Sequence, residues 1–159
     1  MALTLIGKQA VVIGAGMGGL TAAGALADCF DQIVVLERDT LPSEPAYRAG
    51  TPQARHVHAL LLSGQRALGE LFPGFERDLA RAGAVPLRVG LDVRMERPGY
   101  DPFPQRDLGW FSYALSRPTI ECTVRSRGGR STKHHVAPAL SGHGGVGNAK
   151  WRGGHRRAL

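Results

Sequence analysis

The run Val11-Val12-Ile13-Gly14-Ala15-Gly16-Met17-Gly18-Gly19-Leu20, with Glu37 downstream, holds the residues of this sequence best suited to a definite chemistry. An apolar, β-branched stretch ends in Gly-x-Gly-x-x-Gly and passes straight into the helix-forming residues 20–27. That strand, turn and helix context is what the dinucleotide fingerprint requires. Gly14 permits the tight turn, Gly16 lets the backbone approach a pyrophosphate, and Gly19 lets the helix lie close on the strand. The free N–H groups at the helix start then face phosphate, with the helix dipole behind them. Ile33-Val34-Val35-Leu36 reads as a second buried strand with Glu37 at its end. A carboxylate there can accept hydrogen bonds from both ribose hydroxyls of an adenosine half.

The elements that must position these residues follow from periodicity and punctuation. A strand is predicted over 9–13, a helix over 18–28 and a strand over 32–37, together one βαβ unit with a right-handed crossover. Residues 38–55, with Pro42, Pro45, Gly50 and Pro52, form a long connection of the kind that is commonly functional. Leu60, Leu61, Leu68 and Leu71 predict a helix over 57–71, stopped by Pro73-Gly74. A short helix over 75–82 is closed by Gly83. Strict alternation from Val85 through Leu87, Val89, Leu91 and Val93 to Met95 predicts a half-buried strand or hairpin arm. A turn-rich interruption follows over 98–104, then strand character over 110–115. Ser116 suits an N-cap and Pro118 the first turn of a helix beginning over 119–125.

Composition separates this part from the rest. The chain has 159 residues and a formal charge of +7. From 126 onward there are Arg127, Arg130, Lys133, Lys150, Arg152, Arg156 and Arg157 without one Asp or Glu, so that segment accounts for the whole excess. Residues 1–125 are neutral, and the basic balance says nothing about the folded part. Val136, Leu140, Val146 and Leu159 are too few and irregular to face a core, which predicts disorder over 126–159. Cys29 and Cys122 lack zinc or redox spacing and read as reduced structural thiols. With no export signal and no apolar run long enough to span a bilayer, a cytoplasmic protein is expected.

Taken together, the glycine run with Glu37-Arg38, the segment Arg48-Ala49-Gly50-Thr51-Pro52-Gln53 leading to His56-Val57-His58, and Ser116-Arg117-Pro118 opening a helix resemble FAD-dependent monooxygenases of the aromatic-hydroxylase type. Flavin-dependent halogenases and geranylgeranyl reductases are relatives in that fold group. The resemblance covers about residues 8–125 and implies a Rossmann-like α/β FAD-binding fold, incomplete and followed by the basic tail. It implies FAD as cofactor, NAD(P)H as the reductant of the intact enzyme and a small organic substrate. It places Gly14, Gly16 and Gly19 along the pyrophosphate, Glu37 on the adenosine ribose, and Arg38 beside the adenine or its ribose. Arg48 would contact the FAD phosphates and Arg117 would lie against the cofactor. Arginine suits such places because its planar fork pairs bidentately with phosphate oxygens. No catalytic residue is assigned, and no metal site.

Other readings of the same residues stand beside these. Arg48 and Arg117 are equally readable as solvated surface charges. His56 and His58 read as a capping side chain and an exposed polar residue rather than catalysts. The glycine motif also fits a small NAD-dependent dehydrogenase, although the sequence contains no Tyr-x-x-x-Lys proton donor. The Arg-Gly-Gly pieces of the tail fit a non-enzymatic polyanion-binding arm, with Trp151 the one ring available for stacking. The family's second flavin motif is centred on a Gly-Asp pair, and no Gly-Asp dipeptide occurs here. FAD binding confined to the nucleotide half, and no activity by this chain alone, are therefore expected. The abrupt change near residue 126 matches an out-of-frame reading of a GC-rich gene. Translation of the other frames of the DNA tests this hypothesis: it fails if neither continues the helix into a Gly-Asp motif.

Overall fold

A computed structural model describes residues 5–56, 58–128 and 134–138. They form a mixed α/β structure of two small sheets and four helices. Strand β1 (Gly7–Ile13), helix α1 (Met17–Leu26) and strand β2 (Phe30–Glu37) make the first βαβ unit. The strands run parallel, from Gly7 opposite Phe30 to Ile13 opposite Leu36. The Gly14 amide extends the pairing by donating to the Leu36 carbonyl at 2.7 Å. A third parallel strand, β5 (His134–Pro138), pairs with the far edge of β2, so the sheet order is β1-β2-β5.

Between β2 and β5 the chain forms a 3-10 turn at Pro52–Arg55 and helices α2 (Leu62–Leu71) and α3 (Phe75–Arg81). A two-stranded antiparallel sheet of β3 (Val85–Arg88) and β4 (Phe111–Ala114) follows, and then α4 (Arg117–Gly128). The core lies where α1, α2, α3 and α4 meet one face of the parallel sheet. Its fully enclosed side chains are Phe75, Ile33, Leu79, Val35 and Val124. On β2, Ile33, Val35 and Glu37 point into that core, as the period of two along a strand demands. Glu37 thus ends an apolar row.

Several elements match the sequence expectation within a residue or two, and the differences have local causes. Helix α2 begins at Leu62 rather than at 57. Leu60 instead bridges Tyr113 in antiparallel fashion, and its carbonyl accepts from the Ser112 hydroxyl at 2.9 Å. The alternation over 85–95 yields a strand only to Arg88. Beyond it Asp92 folds back, accepting from the Arg88 amide at 2.7 Å and from its guanidinium at 2.8 and 3.1 Å. Val93 and Met95 are consequently exposed. Helix α3 closes in a Schellman pattern, with Gly83 N–H bonding the Ala80 carbonyl and Ala84 N–H the Leu79 carbonyl.

The stretch expected to be disordered from 126 onward is corrected at its beginning. Helix α4 continues through Gly128, and Arg127 is held in the fold by the Asp78 carboxylate and by the Pro73 and Gly74 carbonyls at 2.6 and 2.9 Å. Residues 134–138 form β5. A basic residue grouped by composition with the tail is therefore the ion-pair partner of a buried aspartate. The remaining tail residues, and Val57 of the His-x-His segment, lie outside the described residues.

Candidate functional site

Gly14 follows the last residue of β1 with φ at +93°, a conformation that L side chains rarely adopt. The turn brings the Gly14 carbonyl so close to α1 that a Cβ on Gly19 would sit 1.8 Å from its oxygen. Only hydrogen fits there, so strand and helix approach as closely as backbones can. Helix α1 starts after Gly16 with no side-chain cap and no acidic residue in its first turn. The amides of the first helical turn have no intrahelical acceptor and point out of the turn, an arrangement that favours an anion.

Glu37 lies beside this turn and is 6% exposed. Its Oε2 accepts from the Ala15 amide at 2.7 Å and from Arg48 Nη1 at 3.2 Å, while Oε1 accepts from the Asp39 amide at 3.0 Å. Burial alone would push the carboxyl up. The Asp39 and Ala15 amides and the Arg48 guanidinium outweigh it and hold the group below the usual range, as an anion. The Arg38 amide also acts on the carboxylate, so its acceptor positions are largely taken within the protein. That narrows the expectation that the carboxylate would take both ribose hydroxyls, because the protein's own backbone and Arg48 already donate to it.

Arg48 is the centre of the arrangement. Its side chain is 6% exposed, so it is not a solvated surface charge. Nη1 reaches Glu37 and also Asp39 Oδ2 at 2.9 Å, and Nε donates to Glu121 Oε1 at 2.8 Å. Nη2 has no acceptor among the described residues, and lies 3.7 Å from where a Cβ on Gly16 would be. Asp39 in turn fixes the Gly50 amide at 2.5 Å. That bond, against a smaller opposing effect of burial and helped by Arg48, keeps the Asp39 carboxyl low. Burial disfavours the Arg48 cation, yet Glu121, Asp39 and Glu37 more than restore it.

The structure therefore brings Gly14, Gly16, Gly19, Glu37 and Arg48 together. Arg38 is exposed and its side chain makes no ion pair among the described residues. Arg117 begins α4 and is half-buried; its Nε is enclosed without an acceptor. Among the described residues it shares no hydrogen bond or ion pair with the Glu37–Arg48 group. Asp39 and Glu121 were not singled out by sequence reasoning. A signal existed for Glu121: with Arg125 it sits at i, i+4 directly after the core positions Ile120 and Val124, a charged pair on a buried helix face.

No family model matches the chain. It is 49% identical over 122 residues to "Protein Rv3254" of Mycobacterium tuberculosis (strain ATCC 25618 / H37Rv), a match that takes in 75% of this chain and 26% of that protein. The chain thus spans about a quarter of the length of the curated relative it matches.

Proposed function

We propose that this chain holds the adenosine diphosphate half of FAD at the mouth of the Gly14–Gly19 turn, as the nucleotide part of a flavin-dependent oxidoreductase of the monooxygenase type. The observation that carries the reading is the uncapped start of α1 with the Glu37–Arg48 pair beside it, whose Arg48 Nη2 has no acceptor among the described residues. These residues fit the group. The pyrophosphate needs N–H donors and a cation, which the α1 amides and Arg48 supply. A ribose hydroxyl needs an acceptor, and the Glu37 carboxylate is the one beside this turn. Arg117 Nε, enclosed without an acceptor, is a donor for a part of the cofactor further from the turn.

The sheet supports the same reading. With β5 beside β2 and β1 beyond, the order read from that edge is third, second, first, as in one half of a doubly wound Rossmann-like sheet. When bound, FAD supplies the redox chemistry, and this chain's residues bind and orient its nucleotide end. No residue of this chain is assigned to substrate or to NAD(P)H. Among the described residues no helix is long and apolar enough to cross a membrane. A cytoplasmic setting is part of the same proposal. Titration with FAD and with NADH tests the assignment: the reading requires saturable binding of FAD in preference to NADH. The reverse preference would favour a nicotinamide-dependent dehydrogenase.

A further inference from the structure

Arg48 can meet a pyrophosphate only if its guanidinium is kept at the turn, and what keeps it there includes a residue from a distant element. Nη1 is shared between Glu37 at the end of β2 and Asp39 just after it, whereas Nε is taken by Glu121 of α4. Glu121 is 5% exposed. It is itself steadied by Arg125 one turn on, at 4.0 Å, and Arg125 bonds the Pro42 carbonyl of the loop that carries Arg48. Acceptors on Nε and Nη1 fix the plane of the guanidinium and leave Nη2 as its outward corner, beside Gly16. We propose that Glu121 is a positioning residue for the dinucleotide: by holding Arg48 Nε it directs Nη2 to the pyrophosphate and couples α4 to the glycine turn. This inference rests on the reading of the site given above.

Charge and position make opposite demands, and that makes the idea testable. Glu121 is an anion close to where an anion would bind, so by charge alone Glu121→Gln tightens the binding of FAD or ADP. If Glu121 positions Arg48, the same change weakens it, because the guanidinium loses its fixed plane and with it a charge-assisted bond to phosphate. The experiment is a titration of the full chain with FAD and with ADP, using the wild type, Glu121→Gln, Arg48→Gln, the double variant and Glu121→Asp. Circular dichroism checks the folding of each.

The expected result is weakening of about tenfold for Glu121→Gln, the scale of a hydrogen bond to a charged group. The double variant should bind no more weakly than Arg48→Gln alone, since Glu121 acts through Arg48. Unchanged or tighter binding by folded Glu121→Gln, or full additivity with Arg48→Gln, overturns the proposal. Should Glu121→Gln not fold, Glu121→Asp decides. It keeps the charge but withdraws the oxygen from Nε, so undiminished affinity there also overturns it. Failure of the wild type to bind either ligand would overturn the dinucleotide reading and this inference with it, an outcome distinct from the others.

Discussion

At the scale of single residues, Glu37 and Arg48 decide the character of the site, because each is buried and each needs the other. Removing a partner from a buried pair leaves an uncompensated charge, which costs far more than the pair contributes. The pH dependence follows from the lowered Glu37 and Asp39 carboxyls. Groups with folded pKa values below their unfolded ones stabilise the fold fully above the unfolded values, about 3.9 for Asp and 4.3 for Glu. That stabilisation disappears as the pH falls through the folded values. We expect the melting temperature to be flat above about pH 5 and to fall steeply below about pH 4, on the same principle. Glu37→Gln should lower it at neutral pH and make the acid slope shallower. Thermal melts of both proteins between these limits check this, and parallel slopes would contradict it.

At the scale of elements, the contact of α1 with β1 depends on one missing methyl group. A Cβ on Gly19 would lie 1.8 Å from the Gly14 oxygen, and backbone on both sides cannot yield as a side chain could. Gly19→Ala should therefore destabilise the fold by at least ~1–3 kcal/mol, the cost of overpacking, whereas Gly18→Ala, with open space at its Cβ, should not. Chemical denaturation of the two variants separates them. Equal midpoints would contradict the account. This turn was legible in the sequence because local backbone geometry dictates its residue types, and the same holds for the Gly83 closure of α3 and for Ser116 before α4, whose hydroxyl accepts from the Thr119 amide at 3.3 Å. The start of α2 and the short β3 were not legible, since pairing of Leu60 with Tyr113 and the fold-back of Asp92 onto Arg88 decide them. Arg48 was legible as a candidate, yet its partnership with Glu121, 73 positions away, was not. The strand at 134–138 escaped for a related reason. Its pairing with β2 is nonlocal, and its composition lacks the apolar run by which a buried parallel strand is recognised.

At the scale of the whole molecule, among the described residues the parallel sheet is covered by helices on one face only. Val11 is 56% and Ile13 86% exposed on the other face of β1, although parallel strands are ordinarily covered on both sides. The same strand has an unpaired edge among the described residues, which invites association between copies. Replacing Val11 and Ile13 together by Thr, which keeps β-branching, should reduce concentration-dependent self-association. The melting temperature should change little. Sedimentation velocity at several concentrations checks this, and undiminished association would show that this face is not the sticky one.

The central claim is that the Gly14–Gly19 turn, Glu37 and Arg48 form one site for the nucleotide half of FAD. Its most direct test is a fluorescence titration of FAD with the purified chain and with Glu37→Ala, with NADH in parallel. The account predicts saturable FAD binding by the wild type, weaker binding of NADH, and about tenfold weaker FAD binding by the variant, the scale of a hydrogen bond to a charged group. A folded chain that binds FAD not at all, or equally well with and without the Glu37 carboxylate, would contradict it.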